Sequence, residues 1–256
     1  MSALTFLKSL EAHLYPLSFI RLLMTLTPFK EIQELAAERK GGKKALDALL
    51  ATHKPLSPNK LAALGDDRYL SMMTRCVFNA GFNWKVIKNK WDGFEEAFHG
   101  FNPRGLAHMP PEKWDAYQDD TRIVRNRIKI QGVQDNAIFL MEEAAKYGSF
   151  ASHFAKWPVA DQVGLMAYMK KHGARLGGNT GMYFIRFMGK DGFVLSGDVV
   201  GRLKAAGLEI RDNPSSKKDL KSCQDAFNSW HDETGLSYTN LSRICGMSIG
   251  KNYLPL

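Results

Sequence analysis

The sequence predicts an all-α fold, on three observations. Apolar residues recur at three- and four-residue spacing along most of the chain. Between these stretches stand Gly, Pro, Ser, Asn and Asp residues of the kinds that start and stop helices. Nowhere do apolar and polar residues alternate over a useful length between turn signals, so strands are not expected. A chain of 256 residues can bury a substantial core, as one large domain or two small lobes. Hydrophobic content of 45% and charged content of 24% are ordinary for a soluble globular protein. The formal net charge of +9 favours a polyanionic partner, because Lys and Arg on one face displace counterions from phosphates. Cys76, Cys223 and Cys245 stand far apart, which offers neither a disulfide framework nor a four-Cys metal site and fits a reduced cytoplasm.

Residues 1–56 read as an N-terminal extension of three or four amphipathic helices. Leu4, Leu7 and Leu10 fall at helical spacing, as do Phe19, Leu22, Leu23 and Leu26. The apolar run from Leu14 to Phe29 is broken by Pro16 and Pro28 and carries Arg21, so it is too short and too polar to span a bilayer. It lacks the cleavage pattern of a signal peptide. The turn from Lys40 to Lys44 separates two helices, the second resuming over Ala45 to Leu50. Lys54 to Asn59, with two prolines, marks the join to a main domain of residues 57–256.

In that domain Asp66 and Asp67 are expected to cap a helix running through Tyr69, Met72, Met73 and Val77. Asn79-Ala80-Gly81 breaks it, and Phe82 or Asn83 starts the next. Pro103-Arg104-Gly105 reads as a turn, and Pro110-Pro111-Glu112 starts a helix where the missing N–H costs nothing. Asp119 and Asp120 are expected to cap a helix over residues 121–144, with Ile123, Val124, Ile128 and Ile130 in the core, running on to Tyr147 until Gly148 stops it. Arg125, Arg127 and Lys129 crowd its start. Lys170, Lys171 and His172 form a cationic last turn before Gly173. Gly177 and Gly178 allow a sharp turn, after which Asn179 and Thr180 open a helix with Met182, Ile185 and Met188 on its apolar side. Unpaired N–H groups at that start point outward and can hold a phosphate; an ordinary αα-hairpin is the alternative. Between Pro214 and Gly250 two helices follow. Leu220, Cys223, Phe227 and Trp230 stripe the first, Gly235 ends it, and Ser237 caps the second.

Three blocks of the main domain carry a resemblance. The first is AGFNWKVIKNKWDGFEEAFHGFNP, residues 80–103; the second is IVRNRIKIQGVQDNA, residues 123–137; the third is the hairpin with Gly178-Asn179-Thr180. They resemble the A-G-L-S-W block, the I-(I/V)-R-(N/H)-R-x-K-I-x-A-x-x-x-N-A block and the G-T-T hairpin of the DNA-3-methyladenine glycosylase I family, within the helix-hairpin-helix glycosylase superfamily. The second block is the most specific, since such a run of matched Arg, Asn and Lys positions is hard to obtain by chance. The resemblance implies a two-lobed helix-hairpin-helix glycosylase fold, here with an extra N-terminal extension. It implies a monofunctional base-excision repair enzyme, monomeric, cytoplasmic and nucleoid-associated, without cofactor or membrane. Such an enzyme hydrolyses the N-glycosidic bond of an alkylated purine turned out of double-stranded DNA. Carried over, Trp84 stacks on the extruded base, whose positive charge an aromatic face attracts. Cys76 and Asn79 share that base pocket, with Asn79 a candidate for paired hydrogen bonds to a purine edge. Phe82 is the wedge. The amides of Gly178, Asn179, Thr180 and Gly181 hold a phosphate, and Arg125, Arg127 and Lys129 add phosphate contacts or, alternatively, salt bridges within the fold.

Two departures from the family pattern stand out. A Glu eight positions before the stacking Trp is replaced by Cys76, which carries no stable carboxylate charge. The family's Cys/His zinc site finds Gly201, Arg202 and Leu203 where ligands are expected, so no zinc is expected. Asp198 has two open readings. It stabilises charge on the sugar or activates a water, or it sits in the first turn of a helix capped by Ser196. The lost Glu also admits a non-catalytic DNA-binding relative, or a glycosylase with shifted base specificity. No Lys occupies the position after the hairpin where bifunctional members carry it, so no lyase activity is expected.

Overall fold

The computed structural model of the chain describes residues 26–251. Among these residues every regular element is helical. In chain order the α-helices are α1 Phe29–Arg39, α2 Lys43–Ala51, α3 Pro58–Ala62, α4 Asp66–Asn79, α5 Trp84–Asn89, α6 Trp91–Ala97, α7 Pro103–Ala107 and α8 Pro111–Ala116. They continue as α9 Arg127–Tyr147, α10 Phe150–Lys156, α11 Gln162–His172, α12 Gly178–Phe187, α13 Gly197–Ala205, α14 Lys217–Thr234 and α15 Tyr238–Met247. None is long and apolar enough to cross a membrane. The expected helices around Leu4, Leu7, Leu10, Phe19, Leu22 and Leu23 lie outside the described residues.

The chain divides into two compact units. One is Lys54–Val194; the other joins the segment ending at His53 to the segment beginning at Leu195. The proline break at Lys54 therefore coincides with a boundary. The sequence division kept residues 57–256 together, whereas compactness groups the last quarter of the chain with the N-terminal segment.

The discontinuous unit is held by α1, α2, α13, α14 and α15. Phe29 and Trp230 pack with ring centroids 5.3 Å apart, and the Trp230 indole donates to Thr27 O at 3.1 Å. Glu233 accepts from the Phe29 N–H at 2.9 Å, which satisfies the start of α1 where no side chain of its own does. Arg243 donates to the Leu49 and Leu50 carbonyls and closes the other end of α2. Cys223, Phe227 and Trp230 are fully buried, as their stripe predicts.

In the continuous unit α9 packs against α4, α7 and α10, while α12 packs against α4. Several sequence expectations change here. Asp66 does not cap its own helix. Its carboxylate accepts from the Phe150 and Ala151 N–H groups and so caps α10, 84 residues further on. Asp119 and Asp120 do not start the long helix either. Asp120 accepts from the Arg122 N–H in a local turn, and Asn126 caps α9 by accepting from Lys129 N–H. The register shift puts Ile128 on the surface at 65% exposure instead of in the core. Pro103-Arg104-Gly105 opens a short helix rather than a turn, because Asn102 accepts from the Gly105 N–H and Pro103 has no donor to lose.

Two buried polar side chains of α9 hold neighbouring loops. Lys129 donates from Nζ to the carbonyls of Phe78 and Ala80, at 3.1 and 2.5 Å, and so closes the C-terminal end of α4. Two turns along, Asn136 accepts from the Ala174 N–H at 2.8 Å and donates to Ala174 O at 3.1 Å. Its amide thus takes the place of a strand partner for the loop after α11. A further buried cation, Lys190, donates to the Ala155 and Trp157 carbonyls at the end of α10. Burial pushes its pKa down to about 8.

Removing either α9 brace leaves buried carbonyls or an amide unpaired. Lys129→Met and Asn136→Leu should each lower the unfolding free energy by about 1–3 kcal/mol, read from urea denaturation. Lys190 gives a pH signature. Its folded pKa of about 8 lies below the ordinary 10.5, so unfolding takes up a proton between those values. The stability tied to this site therefore rises with pH across that window. Comparing thermal unfolding at about pH 7 and about pH 9, one unit on either side of the folded value of about 8, wild type should gain on Lys190→Met as pH rises; parallel shifts would refute the assignment.

Candidate active site

The site begins where α4 stops. Gly81 takes φ +75°, and the Asn83 side chain accepts from the Lys85 N–H at 2.9 Å to start α5. Trp84 is therefore the first residue of a helix, and it remains 47% exposed. Its ring stands nearly perpendicular to two rings of α12, Tyr183 at 5.4 Å and Phe187 at 5.9 Å between centroids. Beside this group lies a cavity of about 400 Å³ lined by Met72, Arg75 and Asn79 of α4, Trp84, Lys85 and Lys88 of α5, and Phe187. That volume suits a small planar ligand. Met72, Arg75 and Asn79 fall three and four residues apart, so one face of α4 forms the wall.

Of the three residues expected to form the base pocket, Trp84 and Asn79 share this cavity. Cys76 does not line it. One position round the helix from Arg75, it turns into the core, and burial pushes its thiol up to about 12. The thiol is thus neutral at physiological pH. Arg75 takes the wall, with its guanidinium 5.4 Å from the centroid of Trp91.

Phe82 stands on the surface at 39% exposure, and the Lys129 ammonium lies 4.4 Å from its ring centroid. Lys129 is nearly buried and already engaged by the Phe78 and Ala80 carbonyls, so it holds the Phe82 loop rather than standing free as a surface phosphate ligand. Burial, then the charge of Arg175, lower its pKa. Arg125 and Arg127 are exposed. Arg127 lines a second cavity, of about 350 Å³, together with Ile128 and Arg175.

The connection from α11 to α12 is the expected glycine hairpin. Gly178 takes φ +58°, and among the described residues no side chain caps α12. Gly181 is glycine for a different reason: a Cβ there would meet the Leu176 carbonyl at 2.4 Å. Gly178 and Asn179 are exposed. Thr180 and Gly177 line a third cavity, of about 290 Å³, with Val77, Ala80, Lys129 and Arg175. A helix start beside the exposed Arg175 suits an anion. Arg175 itself adopts φ +60° in this loop.

Asp198 belongs to the discontinuous unit. It lies in the first turn of α13, where Ser196 Oγ accepts from the Val199 N–H, and its carboxylate abuts the backbone of Gly250. The capping expected of Ser196 is thus present.

Sequence reasoning missed Arg75, Arg175, Tyr183 and Phe187. The last two carried a readable signal, an aromatic pair four residues apart on the side of α12 away from Met182 and Ile185. Arg75 also carried one, four residues before Asn79. Arg175 carried none, because its role depends on a loop conformation.

The DNA-3-methyladenine glycosylase of Haemophilus influenzae is 33% identical over 58 residues, which is 23% of this chain and 31% of that protein. The chain therefore matches less than a third of the length of that relative. Among solved structures, 3-methyladenine DNA glycosylase I from Staphylococcus aureus is similar at 22% identity and a TM-score of 0.45, over 53% of this chain and 79% of the other. A further structure of 3-methyladenine DNA glycosylase I is similar at 24% identity and a TM-score of 0.43, over 49% of this chain and 79% of that one. The family model described as methyladenine glycosylase matches residues 61–200, more than half of the chain and inclusive of every element around Trp84 and the hairpin. The chain belongs to the methyladenine glycosylase family.

Proposed function

We propose that the protein is a monofunctional DNA glycosylase that hydrolyses the N-glycosidic bond of an alkylated purine, 3-methyladenine in kind, turned out of duplex DNA. The observation that carries this reading is a half-exposed Trp84 standing with Phe187 over a cavity, on a chain of this family. A base inside the stack is out of reach, so the nucleotide must rotate out. Trp84 stacks on it, and the ring face attracts the positive charge that alkylation places on the purine. Phe82, held by Lys129, fills the gap left in the duplex. The start of α12 and Arg175 hold a backbone phosphate beside the lesion, with Arg127 adding a contact.

The chemistry then asks little of a general acid. As the bond from the sugar C1′ to the purine nitrogen breaks, its electron pair neutralises the base. Water adds to C1′ and releases a proton. A cationic base is already a good leaving group, so binding and extrusion supply most of what is needed. Asp198 stands in the first turn of α13, the helix that Ser196 caps.

One observation favours a second reading. The neutral, buried Cys76 stands where the family resemblance expects a carboxylate, and on this second reading the protein binds damaged DNA without cutting the glycosidic bond.

Incubation with methylated duplex DNA separates the two. Base release should be detectable by chromatography and fall at least about tenfold in Trp84→Ala, in line with the value of one stacked base. Tight binding to a duplex with an abasic analogue, without any release, would decide for the second reading. Arg127→Gln should weaken binding across all sequences and reduce the slope of log affinity against log salt by about one. An unchanged slope would remove Arg127 from the phosphate contacts.

A further inference from the structure

We propose that the site also excises an uncharged six-oxo purine, a deaminated base such as hypoxanthine, and that Arg75 stabilises the anion in which such a base departs. This goes beyond the alkylpurine reading and rests on it only for the hydrolysis of a base turned out of the duplex. The sign of the cavity wall carries the inference. Its charged side chains are Arg75, Lys85 and Lys88, all cations, and no carboxylate lines it among the described residues. Among those residues none of the three side chains has a hydrogen-bonding or carboxylate partner. Neighbouring cations are neutralised. Arg68 forks onto Glu95 at 3.0 Å, and Arg122 reaches Glu96 at 2.6 Å and Asp120 at 2.7 Å. The charge around the cavity is therefore unbalanced, and a cleft lined by one sign concentrates its field on what enters. Arg75 is also held in place. Its guanidinium lies 5.4 Å from the centroid of Trp91, whose indole donates to Glu95 at 3.2 Å.

Such a field suits a base that leaves with negative charge. When the bond from C1′ to N9 of a neutral purine breaks, the electron pair stays with the base and makes it an anion. In a six-oxo purine that charge spreads over the ring nitrogens and the carbonyl oxygen, all of them acceptors. The guanidinium fork can meet the six-oxygen and N7 together, and a donor fixed in advance where charge develops lowers the barrier. Water adds to C1′ and loses a proton while the base takes one up, so the products are neutral hypoxanthine and an abasic sugar. Adenine presents an amino donor to the same donors and is disfavoured. Guanine shares the carbonyl but is held in its Watson–Crick pair, whereas hypoxanthine opposite thymine is mispaired and costs less to extrude. A cationic alkylpurine gains nothing from this wall, since its own electron pair neutralises it on leaving.

Duplexes with one inosine opposite thymine, and methylated duplexes, are incubated with wild type, Arg75→Leu, Arg75→Lys and Lys88→Glu, and released hypoxanthine and 3-methyladenine are measured by chromatography. Wild type should release hypoxanthine. Arg75→Leu should lower that release by about tenfold or more and raise the release of 3-methyladenine, because it removes a donor to the anion and a like charge from beside the cation. Arg75→Lys keeps the charge and should lose less hypoxanthine release than Arg75→Leu. Lys88 is exposed, so Lys88→Glu tests the field without disturbing the core, and it should move the two releases in the same opposite directions. Release of 3-methyladenine without hypoxanthine by wild type, or equal falls on both bases in Arg75→Leu and Lys88→Glu, would overturn the inference and leave the alkylpurine reading standing. Release of hypoxanthine alone, falling in Arg75→Leu, would bear the inference out and remove the alkylpurine reading. Release of neither base overturns both.

Discussion

The site in this protein depends on two hydrogen-bonding side chains on one helix. Lys129 and Asn136 are two turns apart on α9, and each is buried against a loop that has no regular partner. Lys129 closes the end of α4, from which Asn79, Phe82 and Trp84 follow within a few residues. Asn136 fixes the backbone at Ala174, from which the hairpin and α12 follow. A buried loop must place its N–H and C=O groups somewhere, and here α9 provides the partners. The cost of desolvating an ammonium is offset by two carbonyls and by the faces of Phe78 and Phe82. The most specific sequence block is thus occupied with positioning more than with contact to a ligand.

That division of labour recasts the cationic residues. Arg125, Arg127 and Lys129 look equivalent in sequence, yet only the first two present exposed charge. On the proposed reading, attraction to a polyanion falls to Arg127 and to Arg175, the second of which no spacing rule identified. Beside the cavity, Arg75, Lys85 and Lys88 form a wall rich in donors and without a carboxylate. On the proposed reading, such a wall is an unusual place for a cationic base, because like charges repel where water is scarce. The exposed indole of Trp84 offsets this in that reading through its ring face.

Much of the local architecture was legible. The glycines at 81 and 178, the caps at Asn83, Ser196 and Ser237, and the buried stripe through Trp230 are where their residue types place them. These are consequences of backbone sterics and of hydrogen bonds within a few residues, so a local reading suffices. The misplacements share one cause. Asp66, Asp120 and Ile128 were assigned from neighbours in sequence, while Asp66 found its partner on a helix 84 residues away and α9 began only at Arg127.

By itself, then, the sequence determined the helical class, most helix ends and the exposed-aromatic and glycine-hairpin segments, because periodicity and capping act over one or two turns. Only the tertiary structure decided which of those segments meet. It turned Cys76 into the core and Arg75 to the wall, buried Lys129, set Tyr183 and Phe187 against Trp84, and left Asn79 Oδ1 without a partner among the described residues. One residue of helical rotation separates a wall from a core position, and that rotation is set by packing against α9 and α12, which no local pattern encodes.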